Sequence, residues 1–325
     1  MALRALLYSA DAPDRELAGL SGLAVAELDA RQLLWIDLAD PDDAERREVA
    51  DWLGVQPRLL RNETGRRDRP SLANFGEVFR VTAVAAGLAG SQSPIERGHL
   101  TLVSGHNVVV TVHANALAFL EELREREKGD TGIGALTAES FVASLLDRLL
   151  DSYFAAVETL VHDIDRVEVA LLGKRAPPQF LDLLVAARKR LAELRQLLKV
   201  HRDVFYGMAR PDFMATGQPE ARPHFEALDR RYERVEDEVE GARELVIGSF
   251  ELLSARAAQA MNETMQTLTF VTVLMGILAL VAGLMGMNFQ LTLFDTGATG
   301  FFGVIAGMLA LSAAGTWIAR RRGWL

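Results

Sequence analysis

Two uncharged stretches near the C-terminus decide the fold of this 325-residue chain. The first, LTFVTVLMGILALVAGLMGM, covers residues 268–287, and the second, GFFGVIAGMLALSAAGTWI, covers residues 300–318. Within residues 264–318 the only ionisable side chain is Asp295. About 20 apolar residues in a helix cross a hydrocarbon core of roughly 30 Å. The two stretches therefore predict a helical hairpin that spans a membrane twice.

Three arginines set the orientation of this hairpin. Arg320, Arg321 and Arg322 follow the second stretch within a short tail, residues 319–325. Lys and Arg stay on the cytoplasmic side of short membrane segments, so the C-terminus is predicted to be cytoplasmic. Because two crossings return the chain to the same side, the N-terminus is cytoplasmic as well. The connecting segment, residues 288–299, is then an external loop of a cell-membrane (inner-membrane) protein in contact with lipid.

The remainder of the chain is acidic. The formal charge is −9, and the residues after 263 contribute +2, which leaves −11 on residues 1–263. A strongly acidic domain is a poor partner for nucleic acid. The chain has no cysteine, which excludes disulfides and thiolate metal sites. The apolar run at residues 3–7 is too short for a signal peptide, so membrane insertion is expected to depend on the C-terminal hairpin.

Residues 1–134 predict a small α/β domain, because β-rich apolar runs alternate there with polar helical stretches. Residues 135–222 predict a helical hairpin, since strand patterns stop and helical periodicity takes over. Its helices, 141–172 and 178–208, are separated by Gly173 and the prolines at 177–178. The runs with strand character are 33–38, 78–84, 100–103 and 108–112.

A third helical pattern begins near Pro223 and continues without proline through the first apolar stretch. An unbroken helix over residues 223–287 would be about 98 Å long at 1.5 Å per residue. Gly241 and Gly248 would weaken it by about 1 kcal/mol each, which is too little to predict a break. The predicted fold class is thus an N-terminal α/β domain, long helices, and a C-terminal two-helix transmembrane hairpin, with helix predominating.

Gly286-Met287-Asn288 closes the first span, a short loop and a second span follow, and a basic tail ends in Trp324-Leu325. This arrangement resembles the CorA family of divalent-cation channels. The segment before the first span, residues 261–265 (MNETM), is similar to the family's approach to the membrane. The tripeptide alone would be weak evidence, but its position after a long charged helix makes the resemblance specific.

The resemblance extends to the cytosolic part. Residues 35–38 (WIDL), Arg69-Pro70 and residues 111–113 (TVH) have the family's order and spacing, so essentially the whole chain is covered. The resemblance implies a homopentamer with a funnel-shaped cytosolic α/β/α domain. It also implies that the first span lines a pore and that the second span surrounds it.

The pore positions follow from this resemblance. Asn288 matches an asparagine ring at the outer mouth, where neutral carbonyls accept hydrogen bonds from the waters of a hydrated Mg²⁺ ion in an outer-sphere site. Met265 and Leu268 match an apolar constriction that can gate by dewetting. Glu251 matches an acidic ring further along the same helix, a candidate metal position. Steps of three and four residues place Thr272, Gly276, Ala279 and Gly283 on the rest of the pore face.

Three departures from the family pattern leave the transported ion open. The loop at residues 289–295 lacks the family's Met-Pro-Glu and has Asp295 as its only acid. Gly276 and Ala279 stand where larger or hydroxylated residues are common, and Ala227 stands where some members have an acid for an inhibitory metal site. Mg²⁺, with Co²⁺ or Ni²⁺, is the first expectation, and Zn²⁺ transport of the ZntB type is the alternative. A membrane scaffold without transport is the rival from another class.

The sequence contains no recognised motif that supports an enzymatic function. The sequence has no Gly-rich phosphate loop with Lys-Ser/Thr, no Zn-protease motif and no recognisable Ser-His-Asp arrangement. His99, His106 and His113 recur every seven residues, but an odd spacing in strands alternates faces, so they are not expected to form one zinc site. No cofactor is expected beyond the transported divalent cation.

Overall fold

The structure is a computed structural model of the chain. It describes residues 3–20, 23–29, 31–61, 69–88, 93–126, 133–172, 180–213, 219–287 and 297–322. Contacts divide the chain into two compact units, Met1–Ser249 and Phe250–Leu325. The long helix α6 begins in the first unit and ends in the second.

The first unit is built on a seven-stranded sheet, in the order β2-β1-β3-β7-β6-β5-β4. All neighbouring strands are antiparallel except β3 and β7, which are parallel, with Trp35 opposite Val109. β1 is the short apolar run near the N-terminus, which the sequence did not identify as a strand. The strands are β1 Leu3–Ser9, β2 Arg15–Leu17, β3 Gln32–Ala39, β4 Ser71–Asn74, β5 Phe79–Leu88, β6 Ile95–Gly105 and β7 Val108–His113.

In the described ranges, α-helices accompany this sheet and continue beyond it. The 64-residue α6 and the 35-residue α3 are the long helices that the sequence predicted. The helices are α1 Asp43–Leu53, α2 Ala118–Arg126, α3 Ala138–Leu172, α4 Phe180–Lys199, α5 Arg202–Ala209, α6 Arg222–Met285 and α7 Gly297–Arg321.

The two faces of β3 are covered by different helices. Ile36 belongs to the core that includes Val49 and Leu53 of α1. Trp35 points to the other side, where its ring lies 5.6 Å from that of Phe141 in α3. Successive residues of a strand point to opposite faces, so an apolar run buried on both sides holds helices on both. The predicted α/β/α arrangement is confirmed.

The helix predicted over residues 178–208 is divided in two. α4 ends at Lys199 and α5 begins at Arg202, with His201 between them. The Nε2 atom of His201 accepts a hydrogen bond from the backbone N–H of Val84 in β5 at 2.9 Å. A buried backbone N–H without a partner is costly, so this contact gives a physical reason for the break.

In the second unit, the apolar part of α6 packs against α7. A Cβ atom at Gly315 would lie 3.6 Å from Leu274 and 3.8 Å from Phe270, so the small residue allows close approach of the two helices. Both α6 and α7 are long and apolar enough to cross a membrane. α7 begins at Gly297, three residues before the predicted start of the second span. Within residues 264–285 of α6, the half-buried residues are spaced by three and four: Thr267, Phe270, Leu274, Leu278 and Val281.

Candidate pore-lining face

All seven predicted pore-lining residues belong to one helix, α6, and all are exposed in the chain. Met265 is 55% exposed and Leu268 is 64% exposed. The seven residues are Glu251, Met265, Leu268, Thr272, Gly276, Ala279 and Gly283.

These residues lie on the side of α6 that faces away from α7. At 3.6 residues per turn, the predicted pore positions from Met265 to Gly283 centre about 160° from the stripe of residues 267–281 that packs on α7. A helix pair that uses one face for mutual packing leaves the opposite face for lipid or for other copies of the chain. An inner helix and an outer helix around a pore, which the resemblance implies, would require such a division of faces.

The predicted pore face is low in bulk around its middle. A Cβ atom added at Gly276 or Gly283 would meet no atom within 4 Å among the described residues. The hydroxyl of Thr272 donates to the carbonyl of Leu268 at 2.8 Å. This bond uses the hydroxyl proton, so the oxygen keeps lone pairs that can accept hydrogen bonds from water.

The first span closes with a tightened turn. The N–H of Gly286 donates to the carbonyls of Ala282 at 3.0 Å and Gly283 at 3.2 Å, and the N–H of Met287 donates to Leu284 at 3.3 Å. Such i→i+3 bonds satisfy backbone groups at a helix end. Asn288 and Asp295, the predicted selectivity and loop residues, lie outside the described residues.

The first unit contains a buried ionic cluster that the sequence did not predict. Asp37 is 1% exposed, and its carboxylate accepts hydrogen bonds from Thr111 at 2.6 Å and Arg124 at 3.1 Å. Its other partner is the Nε2 atom of His113 at 3.1 Å, and the indole of Trp35 donates to Thr111 at 3.0 Å. Two features of the sequence could have indicated this cluster. One is an aspartate inside an apolar strand pattern, and the other is a histidine at the end of a second strand pattern.

The cluster shifts the pKa values of Asp37 and His113 in the directions that favour their charged forms. Burial opposes charge on Asp37, but hydrogen bonds and charge from His113, with help from Thr111 and Arg124, lower the pKa of its carboxyl. Burial also opposes charge on His113, but Asp37 and the carbonyl of Asn115 raise the pKa of the imidazole. The cluster therefore ties β3, β7 and α2 together by paired charges.

The three regularly spaced histidines do not converge. His113 belongs to the buried cluster, whereas His106 lies in a turn and contacts Glu77 at 2.9 Å. Within the described ranges, no group of three or more His, Asp or Glu side chains could hold a metal ion. A zinc site built from these histidines is not formed.

An α/β/α domain whose last helix continues into an apolar segment, followed by a second apolar helix, has the architecture expected of a two-helix membrane protein. The family model for the CorA-like Mg²⁺ transporter protein matches residues 30–322, so the chain belongs to that family. The predicted family and its transport role, in place of an enzymatic one, are confirmed.

Relatives of two ion classes match with equal identity. The cobalt/magnesium transport protein CorA of Thermotoga maritima is 24% identical over 243 residues, covering 74% of this chain and 69% of that protein. The zinc transport protein ZntB of Yersinia pseudotuberculosis is also 24% identical, over 323 residues, covering 95% and 94%. The complete structure of the CorA magnesium transporter of Methanocaldococcus jannaschii matches with a TM-score of 0.71 at 21% identity, covering 100% of this chain and 99% of that one.

Proposed function

We propose that this chain conducts divalent metal ions passively across the cell membrane through a pore formed by several copies, five by resemblance. The observation that carries the proposal is the division of α6 into two faces, one packed on α7 and one uncovered. A two-helix hairpin cannot enclose a water path within one chain. The uncovered face can line such a path only when copies assemble around an axis.

Each predicted pore residue has a role in this proposal. Asn288 selects the hydrated ion at the outer mouth, and Met265 with Leu268 forms the dewetting constriction. Glu251 supplies a ring of carboxylates toward the cytosolic end. A membrane potential near 100 mV supplies about 4.6 kcal/mol for a divalent ion, so entry needs no chemical energy source.

Mg²⁺ is the favoured ion. Along the described part of the predicted face, the polar side chains are those of Thr272 and Glu251, which offer oxygen atoms as metal ligands. The same described positions include no histidine. Mg²⁺ takes oxygen ligands and keeps its waters, whereas Zn²⁺ prefers nitrogen and sulfur ligands. Zn²⁺ is the second candidate, because the ZntB relative matches almost the whole chain.

The proposal also fixes the topology. Residues 1–134 form the cytosolic α/β domain, residues 135–222 the cytosolic helical hairpin and residues 223–287 the stalk and inner helix. Residues 288–299 form the external loop, residues 300–318 the outer span in contact with lipid, and residues 319–325 the cytoplasmic basic tail. Both termini are then on the cytoplasmic side.

The deciding experiment measures metal flux into liposomes that contain the purified full chain. A metal-sensitive dye inside the vesicles reports Mg²⁺, Zn²⁺, Co²⁺ and Ni²⁺ separately, with a K⁺ gradient and valinomycin setting an inside-negative potential. We expect uptake that grows with the potential and is largest for Mg²⁺. Native mass spectrometry of the same sample is expected to give a pentamer. An assembled protein that passes none of the four ions would instead favour the non-transporting scaffold.

A further inference from the structure

A polar cavity of about 600 Å³ lies between α3 and α6 within the first unit. Its lining includes the small or apolar residues Ala143, Ala227 and Leu228. Its walls carry six ionisable side chains: Asp147, Arg148 and Asp151 from α3, and His224, Arg231 and Arg234 from α6.

One arginine holds both aspartates of the cavity. The Nε atom of Arg231 lies 2.9 Å from the carboxylate of Asp147, and its Nη2 atom donates to Asp151. The guanidinium also lies over the ring of Phe154, 5.4 Å from its centre. These contacts fix Arg231 against the wall of the cavity, with its charge already balanced.

The other basic groups of the cavity make no such direct contact with a carboxylate in the described part of the chain. Arg148, Arg234 and His224 form no hydrogen bond or salt bridge with any residue in the part of the chain that the structure describes. Three guanidiniums thus face two carboxylates. Burial raises the pKa of Asp147 above its usual value; the charges of Arg231, Arg234 and Arg148 oppose this rise and that of Asp151 adds to it.

We propose that this cavity binds a soluble polyphosphate anion, with Arg148 and Arg234 as its principal ligands and His224 as a third. Guanidinium groups present paired N–H donors that match phosphoryl oxygens, and a ligand with several phosphoryl groups can reach basic side chains on both helices. The volume lies within the range of small-molecule sites and exceeds what orthophosphate would fill. The triphosphate chain of a nucleotide and inorganic tripolyphosphate share the required chemistry.

The proposal is tested by calorimetric titration of the metal-free full chain in nanodiscs of zwitterionic lipid. Inorganic tripolyphosphate, ATP, orthophosphate and citrate are titrated separately at fixed ionic strength. We expect tripolyphosphate to bind at least about 10-fold more tightly than orthophosphate or citrate. Equal affinity for ATP would show recognition of the phosphate chain alone, and tighter binding of ATP would show that the nucleoside adds contacts; both results support the site.

Matched variants locate the ligand. The double variant Arg148→Gln/Arg234→Gln removes two unpaired guanidiniums and is expected to weaken tripolyphosphate binding by about 10-fold or more. The control Arg230→Gln/Arg243→Gln removes the same charge from α6 outside the cavity lining, and its affinity should stay within about 2-fold of wild type. Asp151→Asn releases one contact of Arg231 and is expected to tighten binding.

Three results would overturn the proposal. One is the absence of tripolyphosphate and ATP binding to the wild-type chain. Another is an equal loss in the cavity variant and its control, which would indicate attraction by general charge. The third is citrate binding as tightly as tripolyphosphate. None of these measurements depends on metal flux, so they can fail while the transport proposal stands, and the reverse also holds.

Discussion

Asn288 is the residue to which the transport proposal assigns ion selection. Its side-chain carbonyl is the acceptor that would face the waters of the entering ion. We predict that Asn288→Ala abolishes selective divalent flux while the protein still assembles, because alanine deletes the acceptor and is compatible with a helix end. Liposome flux and native mass spectrometry on the same preparation provide the check.

Gln290→Ala is the matched control for this variant, since it removes an amide from the same loop without touching the tripeptide. Its flux should equal that of wild type. Unchanged uptake of every divalent ion by an assembled Asn288→Ala protein would show that the ring of acceptors lies elsewhere.

His201 makes the stability of the first unit depend on pH. Complete burial lowers the pKa of its imidazole from 6.5 to about 4, and the backbone of Leu197 and Val84 binds the neutral ring. As pH falls, His201 therefore takes up a proton in the unfolded chain at a higher pH than in the folded chain. The contribution of neutral His201 to folding stability is lost as pH falls from about 6.5 toward 4. The shift corresponds to about 3 kcal/mol.

We predict that His201→Gln is less stable than wild type at pH 7 and that this difference shrinks by about 3 kcal/mol by pH 4. Thermal unfolding in detergent, followed by tryptophan fluorescence at several pH values, measures the gap. His106→Gln is the control, because that histidine is exposed and its ring contacts the exposed side chain of Glu77. A gap that stays constant with pH would mean that His201 is not buried as a neutral ring.

The contribution of His113 to folding stability changes with pH in the opposite direction to that of His201, so the two contributions must be separated. The pKa of His113 is raised, so its contribution is complete below 6.5 and is lost as pH rises through the folded-state value. Asp37, whose pKa is lowered, contributes above 3.8 and loses its contribution as pH falls through its folded-state value. Because His113 and Asp37 are present in both proteins, comparing His201→Gln with wild type at each pH cancels their contributions to the stability difference.

At the scale of elements, the close packing of α6 on α7 depends on a glycine. Gly315→Ala would place its methyl group at ordinary contact distance from Leu274 and Phe270, so we expect it to be tolerated. Gly315→Leu would overpack the same place and is predicted to cost about 1–3 kcal/mol. The measurement is the shift of the thermal transition of the detergent-solubilised protein.

Gly307→Leu serves as the control for this substitution. Gly303 and Gly307 have the spacing that brings membrane helices close, yet a Cβ atom at either position meets no described atom within 4 Å. Gly307→Leu should therefore leave the packing of α6 on α7 intact. Equal destabilisation by both leucine variants would contradict the helix register described above.

The elements differ in how far the sequence could predict them. The spans were predictable because a membrane-crossing helix must be apolar over its whole length, and the central strands because burial on both faces demands an apolar run. The break between α4 and α5 was not, since it depends on a contact between His201 and Val84, 117 positions apart. The pairing of β3 with β7 is non-local in the same way.

The candidate sites also differ in how far the sequence could predict them. The candidate pore face rests on the family resemblance for Met265, Leu268 and Glu251, and helical spacing supplies the positions that follow them along α6. The cavity between α3 and α6 was not predictable, because Arg231 and Asp151 meet across 80 positions and no local pattern marks them as partners. The sequence indicates the buried cluster around Asp37 only weakly, by one charged residue within an apolar strand.

At the scale of the whole molecule, conduction depends on rings of identical residues from several copies. Two acids are candidates for the charge that matters, Asp295 in the external loop and Glu251 on α6. An acid in the loop raises the local cation concentration, but salt screens this effect over about 8 Å at physiological ionic strength. Five carboxylates from Glu251 around an axis would repel one another, and a passing or resident cation would relieve that repulsion.

We therefore predict different salt dependences for the two neutral variants. Asp295→Asn should lower divalent flux mainly at low ionic strength, where the external field is unscreened. Glu251→Gln should change conduction or gating at every salt concentration, because closely spaced charges are screened much less than exposed ones. Flux into liposomes at low and high KCl, with native mass spectrometry to confirm equal assembly, measures both. A silent Glu251→Gln would mean that α6 turns this residue away from the axis or that the ion path ends before residue 251.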